Sequence, residues 1–288
     1  MNYHQPVLVS EIINYFNPKA GQIYLDTTLG NGGHTIEILN NGATVFGLDA
    51  DPDNLKIASD RIKALGLSQN FHPLLGNFNR IFTIWKKEIN LPLDGILADL
   101  GLSVNQQSGQ SRGFSFNDAS SLDMRLNPKT QKMTAEEIIN TWDKDQLYQI
   151  FTKYAQEKLA KPLIFEIIKS RQNKAIKSGT QLSQIINNYY QKKHYSSYHQ
   201  PATKIFLALR IAVNRDFENL NKLLIATPKV VKSGGKIAII SFHSGEDRLV
   251  KHFIQHNNYT SKKVSPKHIE VKKNPLSRSA ILRLYNLN

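Results

Sequence analysis

Over the first hundred residues, short apolar runs that stop at Gly or Asp alternate with amphipathic stretches, the pattern of βα units feeding a parallel sheet. Residues 23–26 read as a first strand, 44–49 as a second, 72–75 as a third and 95–99 as a fourth. Between them, 35–40 and 52–65 have helical spacing; Pro52 suits the first helical position and Asp51 the cap before it. After Leu100 the rhythm breaks. Residues 103–121 are rich in Ser, Gln, Asn and Gly, and 135–141, 144–170, 182–191 and 203–221 then carry apolar residues at helical spacing. Strand patterning returns at 236–242, behind the Gly234-Gly235 turn, and again at 281–285. An α/β fold whose parallel sheet is interrupted after its fourth strand by a helical insertion accounts for this order. It places one domain at 1–108 with 211–288 and the insertion at 109–210.

Charge sharpens the division. The net charge of +14 is not spread evenly: 1–100 carry −3, 101–149 carry −1, 150–210 carry +9 and 260–288 carry +6. Two basic blocks, one of them in the insertion, point to a polyanionic partner such as nucleic acid. With 288 residues the chain can bury a large core, and it has no apolar run near the ~18 residues of a membrane span. The opening residues lack the basic-then-apolar run of a secretory signal, so a cytoplasmic location without membrane attachment is expected. The absence of cysteine excludes disulfides, thiolate metal sites and a cysteine nucleophile. The histidines show no metal-ligand spacing, and no metal is expected.

The first βα connection, Asp26-Thr-Thr-Leu-Gly30-Asn31-Gly32-Gly33-His34, leaves a strand and opens a helix, where glycine lets backbone amides approach a ligand. A pyrophosphate-binding turn would carry a third glycine where Thr35 stands. The carboxylate of Asp26 also disfavours a pyrophosphate and suits a cofactor with an ammonium tail and a sulfonium centre. S-adenosylmethionine therefore fits better than a nicotinamide dinucleotide. Asp49 ends the second strand, where it is placed to accept the ribose hydroxyls or simply to cap a turn, and Phe78 follows the third. Asp99-Leu-Gly-Leu-Ser103, at the end of the fourth, faces the reactive end of a ligand bound beyond the strand ends.

Asp99 to Ser103, Arg112-Gly-Phe-Ser-Phe116, Leu122-Asp-Met-Arg125, Pro201-Ala-Thr203 with Arg210-Ile-Ala-Val-Asn214, Ser241-Phe-His-Ser-Gly-Glu-Asp-Arg248 and Asn274-Pro275 with Arg278-Ser279 follow in order along nearly the whole chain. With the opening segment His4 to Glu11, they resemble the MraW/RsmH-type 16S rRNA cytosine-N4 methyltransferases. The resemblance implies a class I, Rossmann-like S-adenosylmethionine-dependent methyltransferase fold with an inserted helical domain, acting on a decoding-centre cytidine of small-subunit rRNA. It implies cofactor contacts at Gly32, Gly33 and His34 (methionine end), Asp49 (ribose), Phe78 (adenosine side), and Asp99 and Gln106. The chain departs from the family at Ser103-Val104-Asn105-Gln106, where Ser-Ser-Pro-Gln is usual, and at Ser244-Gly245-Glu246-Asp247, where Ser-Leu-Glu-Asp is.

Transfer to an exocyclic amine needs an acceptor for its N–H and an in-line approach. Asp99 is the first candidate acceptor, with Ser103 behind it. Asp123 is the second, unless it only pairs with Arg125. Phe114 and Phe116 either stack an extruded base or pack their loop on the core. His243 is read as a structural group. Lys153, Lys158, Lys161, Lys169, Arg171, Lys174 and Lys177, with Lys262, Lys263, Lys267, Lys272, Lys273 and Arg278, would meet phosphates. Rival readings are a nicotinamide oxidoreductase, a DNA amino-methyltransferase, whose fourth-strand Asn/Asp/Ser-Pro-Pro-aromatic string is missing here, and a non-catalytic RNA-binding protein on the same fold. Monomer and homodimer are both open.

Overall fold

The computed structural model describes residues 6–103, 105–106, 112–193 and 201–288; His4 and Val104, named above, lie outside them. The chain forms two compact units, Met1–Ser103 with Phe217–Asn288, and Val104–Asp216. In the first, α1 (Val9–Phe16) precedes β1 (Ile23–Asp26), α2 (Gly33–Asn40), β2 (Thr44–Asp49), α3 (Pro52–Ala64), β3 (Phe71–Leu75), α4 (Ile81–Ile84) and β4 (Leu93–Asp99). The second unit holds α5 (Ala135–Thr141), α6 (Lys144–Lys153), α7 (Ala160–Asn173), α8 (Gly179–Lys192) and α9 (Pro201–Asn214). The chain then returns through α10 (Asp216–Val230), β5 (Val231–Ser241), α11 (Ser244–His256), β6 (Ser261–Val264), α12 (His268–Lys273) and β7 (Ile281–Asn286).

The sheet runs β3-β2-β1-β4-β5-β7-β6. Strands β1 to β5 are mutually parallel, whereas β7 is antiparallel to both β5 and β6. Alternation along the central strands assigns the layers, because successive side chains leave a strand on opposite faces. Leu97, Ala238 and Ile240 pack with Ile12 and Phe16 of α1, Ile36 of α2, and Ala58 and Ile62 of α3. Their strand neighbours Ile96, Ala98, Ile237 and Ile239 pack with Leu220, Leu223 and Leu224 of α10 and with Val250 and Ile254 of α11. The result is the α/β fold expected from the apolar runs. The strand order reverses between β1 and β4, and ligands in such sheets bind beyond the strand ends at that reversal.

Several details differ from the sequence reading, among them that β5 begins at Val231, so the Gly234-Gly235 pair read as a turn lies within the strand. The stretch 144–170 is two helices, because Gln156 turns left-handed at φ 49° and the Glu157 amide reaches back to the Phe151 carbonyl (3.0 Å), closing α6 as a Schellman turn does. The stretch 203–221 is likewise broken, at Arg215 (φ 56°) between α9 and α10. Strand β6 has no apolar alternation because Ser261, Lys262 and Lys263 are exposed at the sheet edge. The second unit packs around its own core, including Leu147, Phe151, Leu163, Ile167, Leu182 and Ile186, with Phe114 and Phe116 leaning on it.

Candidate functional site

Three carboxylates terminate neighbouring strands of the first unit: Asp26 on β1, Asp49 on β2 and Asp99 on β4. The loop between β1 and α2 is stitched to both flanking strands. Thr27 donates its amide and hydroxyl to the Leu97 carbonyl of β4 (2.9 Å each), and the Leu29 amide donates to Leu48 of β2 (3.0 Å). Asp26 is buried and holds this loop from inside, accepting from the Thr28 amide (3.1 Å) and the Thr35 hydroxyl (2.8 Å). Burial pushes its carboxyl pKa above the usual range, against the lowering effects of His34 and these hydrogen bonds. Thr35, which the sequence marks only as the missing third glycine, is thus the partner that fixes Asp26.

The glycines divide their work. At Gly32 (φ 76°) a Cβ would lie 3.3 Å from Ala58 Cβ, and at Gly33 it would lie 3.0 Å from Pro6 Cγ. Their missing side chains let α3 and the N-terminal segment close over the loop. No side chain caps α2, so the amides of its first turn are left to an incoming acceptor. His34, in that turn, is 7% exposed; its Nε2 lies 3.5 Å from Asp99 Oδ2, and neither ring nitrogen has a hydrogen-bond partner among the described residues. The Asp99 amide donates to Thr28 Oγ1 (2.6 Å), locking the end of β4 to the loop.

Asp49 accepts from the Gly30 amide through Oδ2 and from the Asp51 amide through Oδ1, both at 2.8 Å. Oδ1 keeps a second lone pair for a hydroxyl donor, while Oδ2 also receives Asn54 Nδ2 in a long hydrogen bond (3.5 Å). Burial raises its pKa from 3.8 to about 7, opposed by those two backbone hydrogen bonds. Asn54, 2% exposed on α3, extends the polar run: its Nδ2 is 3.5 Å from Asp49 Oδ2, and its Oδ1 accepts from Ser103 Oγ at 3.0 Å. The sequence reading missed Asn54, whose only signal was a carboxamide in a first helical turn. Phe78 follows β3 in a short turn capped by Asn77 and packs on the sheet's second apolar layer, and the Gly76 amide ties this turn to the Asp49 carbonyl (2.9 Å).

The remaining motif residues hold loops. His243 caps α11, with Nε2 2.8 Å from Glu246 Oε1, while Glu246 Oε2 accepts from the Phe242 amide (2.9 Å). Asp247 takes Arg283 of β7 in two hydrogen bonds of 2.7 and 3.0 Å. In the second unit Gln106 is buried, and Asp123 receives both Arg125 Nε and Nη2 at 2.7 Å. Asn214 clamps the same loop, accepting from the Leu126 amide (3.1 Å) and donating to the Met124 carbonyl (2.9 Å). Phe114 lies under the Arg112 guanidinium, and Phe116 makes an edge contact with Phe206. Arg171 turns inward to the Ile139 carbonyl (2.6 Å), whereas Lys153, Lys158, Lys161, Lys169, Lys174 and Lys177 are exposed, as are Lys262, Lys263, Lys267, Lys272, Lys273 and Arg278. Among the described residues no helix is long and apolar enough to cross a membrane.

Curated relatives named ribosomal RNA small subunit methyltransferase H match nearly end to end. One from a Synechococcus species is 39% identical, covering 98% of this chain and 91% of its own length. Another, from Carboxydothermus hydrogenoformans, is 36% identical over 97% and 96%. Among solved structures, that of a putative rRNA-methylase from Clostridium thermocellum superposes with a TM-score of 0.50 at 11% identity, covering 99% of both chains, a likeness of fold. An uncapped helix start, a buried imidazole with no hydrogen-bond partner among the described residues and a strand-end carboxylate fit the carboxylate, the amino-acid tail and the ribose of S-adenosylmethionine. Residues 1–287 match the MraW methylase family, and the chain belongs to that family, whose methyl donor is S-adenosylmethionine.

Proposed function

We propose that the protein methylates the exocyclic N4 amine of a decoding-centre cytidine in the 16S rRNA of the small ribosomal subunit. Relatives named for small-subunit rRNA methylation, at 35–39% identity over nearly full length, support the rRNA substrate. The ordered motifs from Asp99 to Ser279 support the cytosine-N4 target. The observation that carries the chemistry is Asp99. Its carboxylate stands at the end of β4, at the point where strand order reverses, beside the α2 start that would hold the donor.

The cofactor supplies a methyl group made electrophilic by its sulfonium. In this reading Gly33 and His34 hold the methionine end through the first turn of α2, Gly32 sets that turn, Asp49 takes the ribose hydroxyls, and Phe78 flanks the adenosine. Asp99 accepts a hydrogen bond from the target amine, which orients the nitrogen lone pair along the line of transfer. Asp99, or water beside it, would take the proton that the amine sheds once it carries the methyl group. Ser103, fixed by Asn54, borders the amine and offers its oxygen as a second acceptor. Asp123 keeps its loop in place through Arg125. The exposed lysines of both basic blocks meet phosphates, so binding falls steeply with salt.

The test is transfer of labelled methyl to small subunits from cells lacking this gene, with nucleoside analysis of the rRNA. N4-methylcytidine made by the wild type and lost by at least a hundredfold in Asp99→Asn is the expected result. Label in DNA with blank subunits would overturn the substrate. Full activity in Asp99→Asn would remove Asp99 from the chemistry.

A further inference from the structure

The outward side of α7 carries an arrangement that phosphate neutralisation alone does not explain. Leu163, Ile164 and Ile167 face the core, which leaves Lys161, Phe165 and Lys169 on the opposite side at one-turn intervals. Phe165 is 64% exposed, the largest exposure of any aromatic side chain among the exposed large apolar residues described. Tyr148 of α6 is 36% exposed, and Lys161 Nζ lies 5.4 Å from its ring centroid, with Phe165 one turn further along α7. A second lysine-aromatic pair, Lys153 over Tyr154 at 5.7 Å, stands at the end of α6.

No carboxylate interrupts the line along α7. Glu166 is half-buried and acts on Tyr189, on the α8 side, where it helps to raise that phenol's pKa after burial. Glu157, before α7, is buried, accepts from the Leu159 amide (2.9 Å) and lies 4.0 Å from Lys204. A protein partner would favour aromatic residues without this density of lysine, which is depleted at protein interfaces. A duplex presents stacked bases behind its phosphates, and a phenyl ring gains little there. Rings spaced by ammonium groups suit unpaired bases that stack while their phosphates are neutralised.

We infer that Phe165 and Tyr148, with Lys161 and Lys169, form a stacking platform for a single-stranded segment of the RNA substrate. The inference rests on rRNA being that substrate and adds a place where an unpaired stretch is held by its base faces. Because stacking tolerates any base, the platform contributes affinity for unpaired structure and not for sequence.

The test is fluorescence anisotropy of the full chain with a labelled oligouridine of about ten nucleotides, single-stranded or annealed to its complement. Phe165→Ala should weaken single-strand binding about tenfold, Phe165→Trp should retain it, and neither should change the slope of log affinity against log salt. Lys161→Ala should reduce that slope by about 0.7. In methyl transfer to isolated small subunits, Phe165→Ala should raise KM and leave kcat unchanged. Single-strand affinity of Phe165→Ala within twofold of wild type, or an equal loss with the duplex, overturns the platform, and the first is the result expected if a protein covers this face. Wild type that binds the single strand as described but methylates no rRNA would overturn the substrate reading and leave the platform standing.

Discussion

Asp49 gives the site a pH dependence whose sign follows from its surroundings. Buried at the end of β2, its pKa is raised from 3.8 to about 7, so the folded apo protein binds a proton there that the unfolded chain releases near pH 4. For stability, a raised carboxyl pKa means that folding is favoured below the unfolded value and loses support as pH climbs towards 7. The upward shift corresponds to about 4 kcal/mol across that window. For the cofactor the sign is opposite. Ribose hydroxyls donate hydrogen bonds, and an ionised carboxylate accepts them better than a protonated one, so binding must first remove the proton. Below pH 7 each unit then costs about a tenfold loss in affinity, or about 25-fold between pH 7.5 and 5.5. Calorimetric titration with S-adenosylhomocysteine across this range checks the figure, since the ligand's own groups titrate outside it. Asp49→Asn should bind weakly throughout and show a flat profile. A flat profile in the wild type, or an unchanged slope in Asp49→Asn, would refute the placement of the ribose at Asp49; the second outcome would move the titration to Asp26, whose pKa burial also raises.

Other substitutions test the frame around the site. In Gly95→Ala the new methyl would stand 2.7 Å from the Lys236 carbonyl oxygen and 2.9 Å from Tyr24 Cε1, so β4 and β5 must part; a loss of about 2–3 kcal/mol in urea unfolding is expected. Arg283→Met leaves the Asp247 carboxylate without its two hydrogen bonds and should cost about 3 kcal/mol, most of it recovered in the double variant with Asp247→Leu, as thermal unfolding would report. Asn214→Leu strands the Leu126 amide and the Met124 carbonyl, costing about 2 kcal/mol and exposing residues 122–131 to limited proteolysis before the rest of the chain unfolds.

The parts of the fold legible in the sequence are those where burial imposes a period. Residues 23–26 and 44–49 are strands with the bounds the apolar runs give, because both of their faces are covered and polar residues stand only at the strand ends. Where burial is one-sided or absent the signal fails. Strand β6 is held by its backbone pairing with β7, and its Lys262 and Lys263 answer to solvent. The break at Gln156 was hidden for a different reason: apolar spacing continues from α6 into α7, while the stop is set by a backbone turn that carries no glycine.

The site divides along the same line. A carboxylate at the end of a buried strand has few purposes, so Asp26, Asp49 and Asp99 stand out from position alone, and the structure brings all three to one edge of the sheet. What position cannot tell is which of them faces a ligand and which faces the protein. That depends on donors scattered through the chain: the Thr28 amide and the Thr35 hydroxyl hold Asp26, the Gly30 and Asp51 amides and the Asn54 carboxamide reach Asp49, and His34 stands beside Asp99 with no hydrogen-bond partner among the described residues. The same distinction separates the motif residues. Asp123, Glu246 and Asp247 sit in strings as characteristic as that of Asp99, yet each is held by a closer donor within the protein, Arg125 (2.7 Å), the Phe242 amide (2.9 Å) and Arg283 (2.7 Å) respectively, whereas Asp99 accepts from the Gly101 amide at 3.3 Å and has His34 Nε2 at 3.5 Å. A family motif therefore marks a residue the fold or the reaction requires, and the hydrogen bonds its carboxylate already has decide between the two.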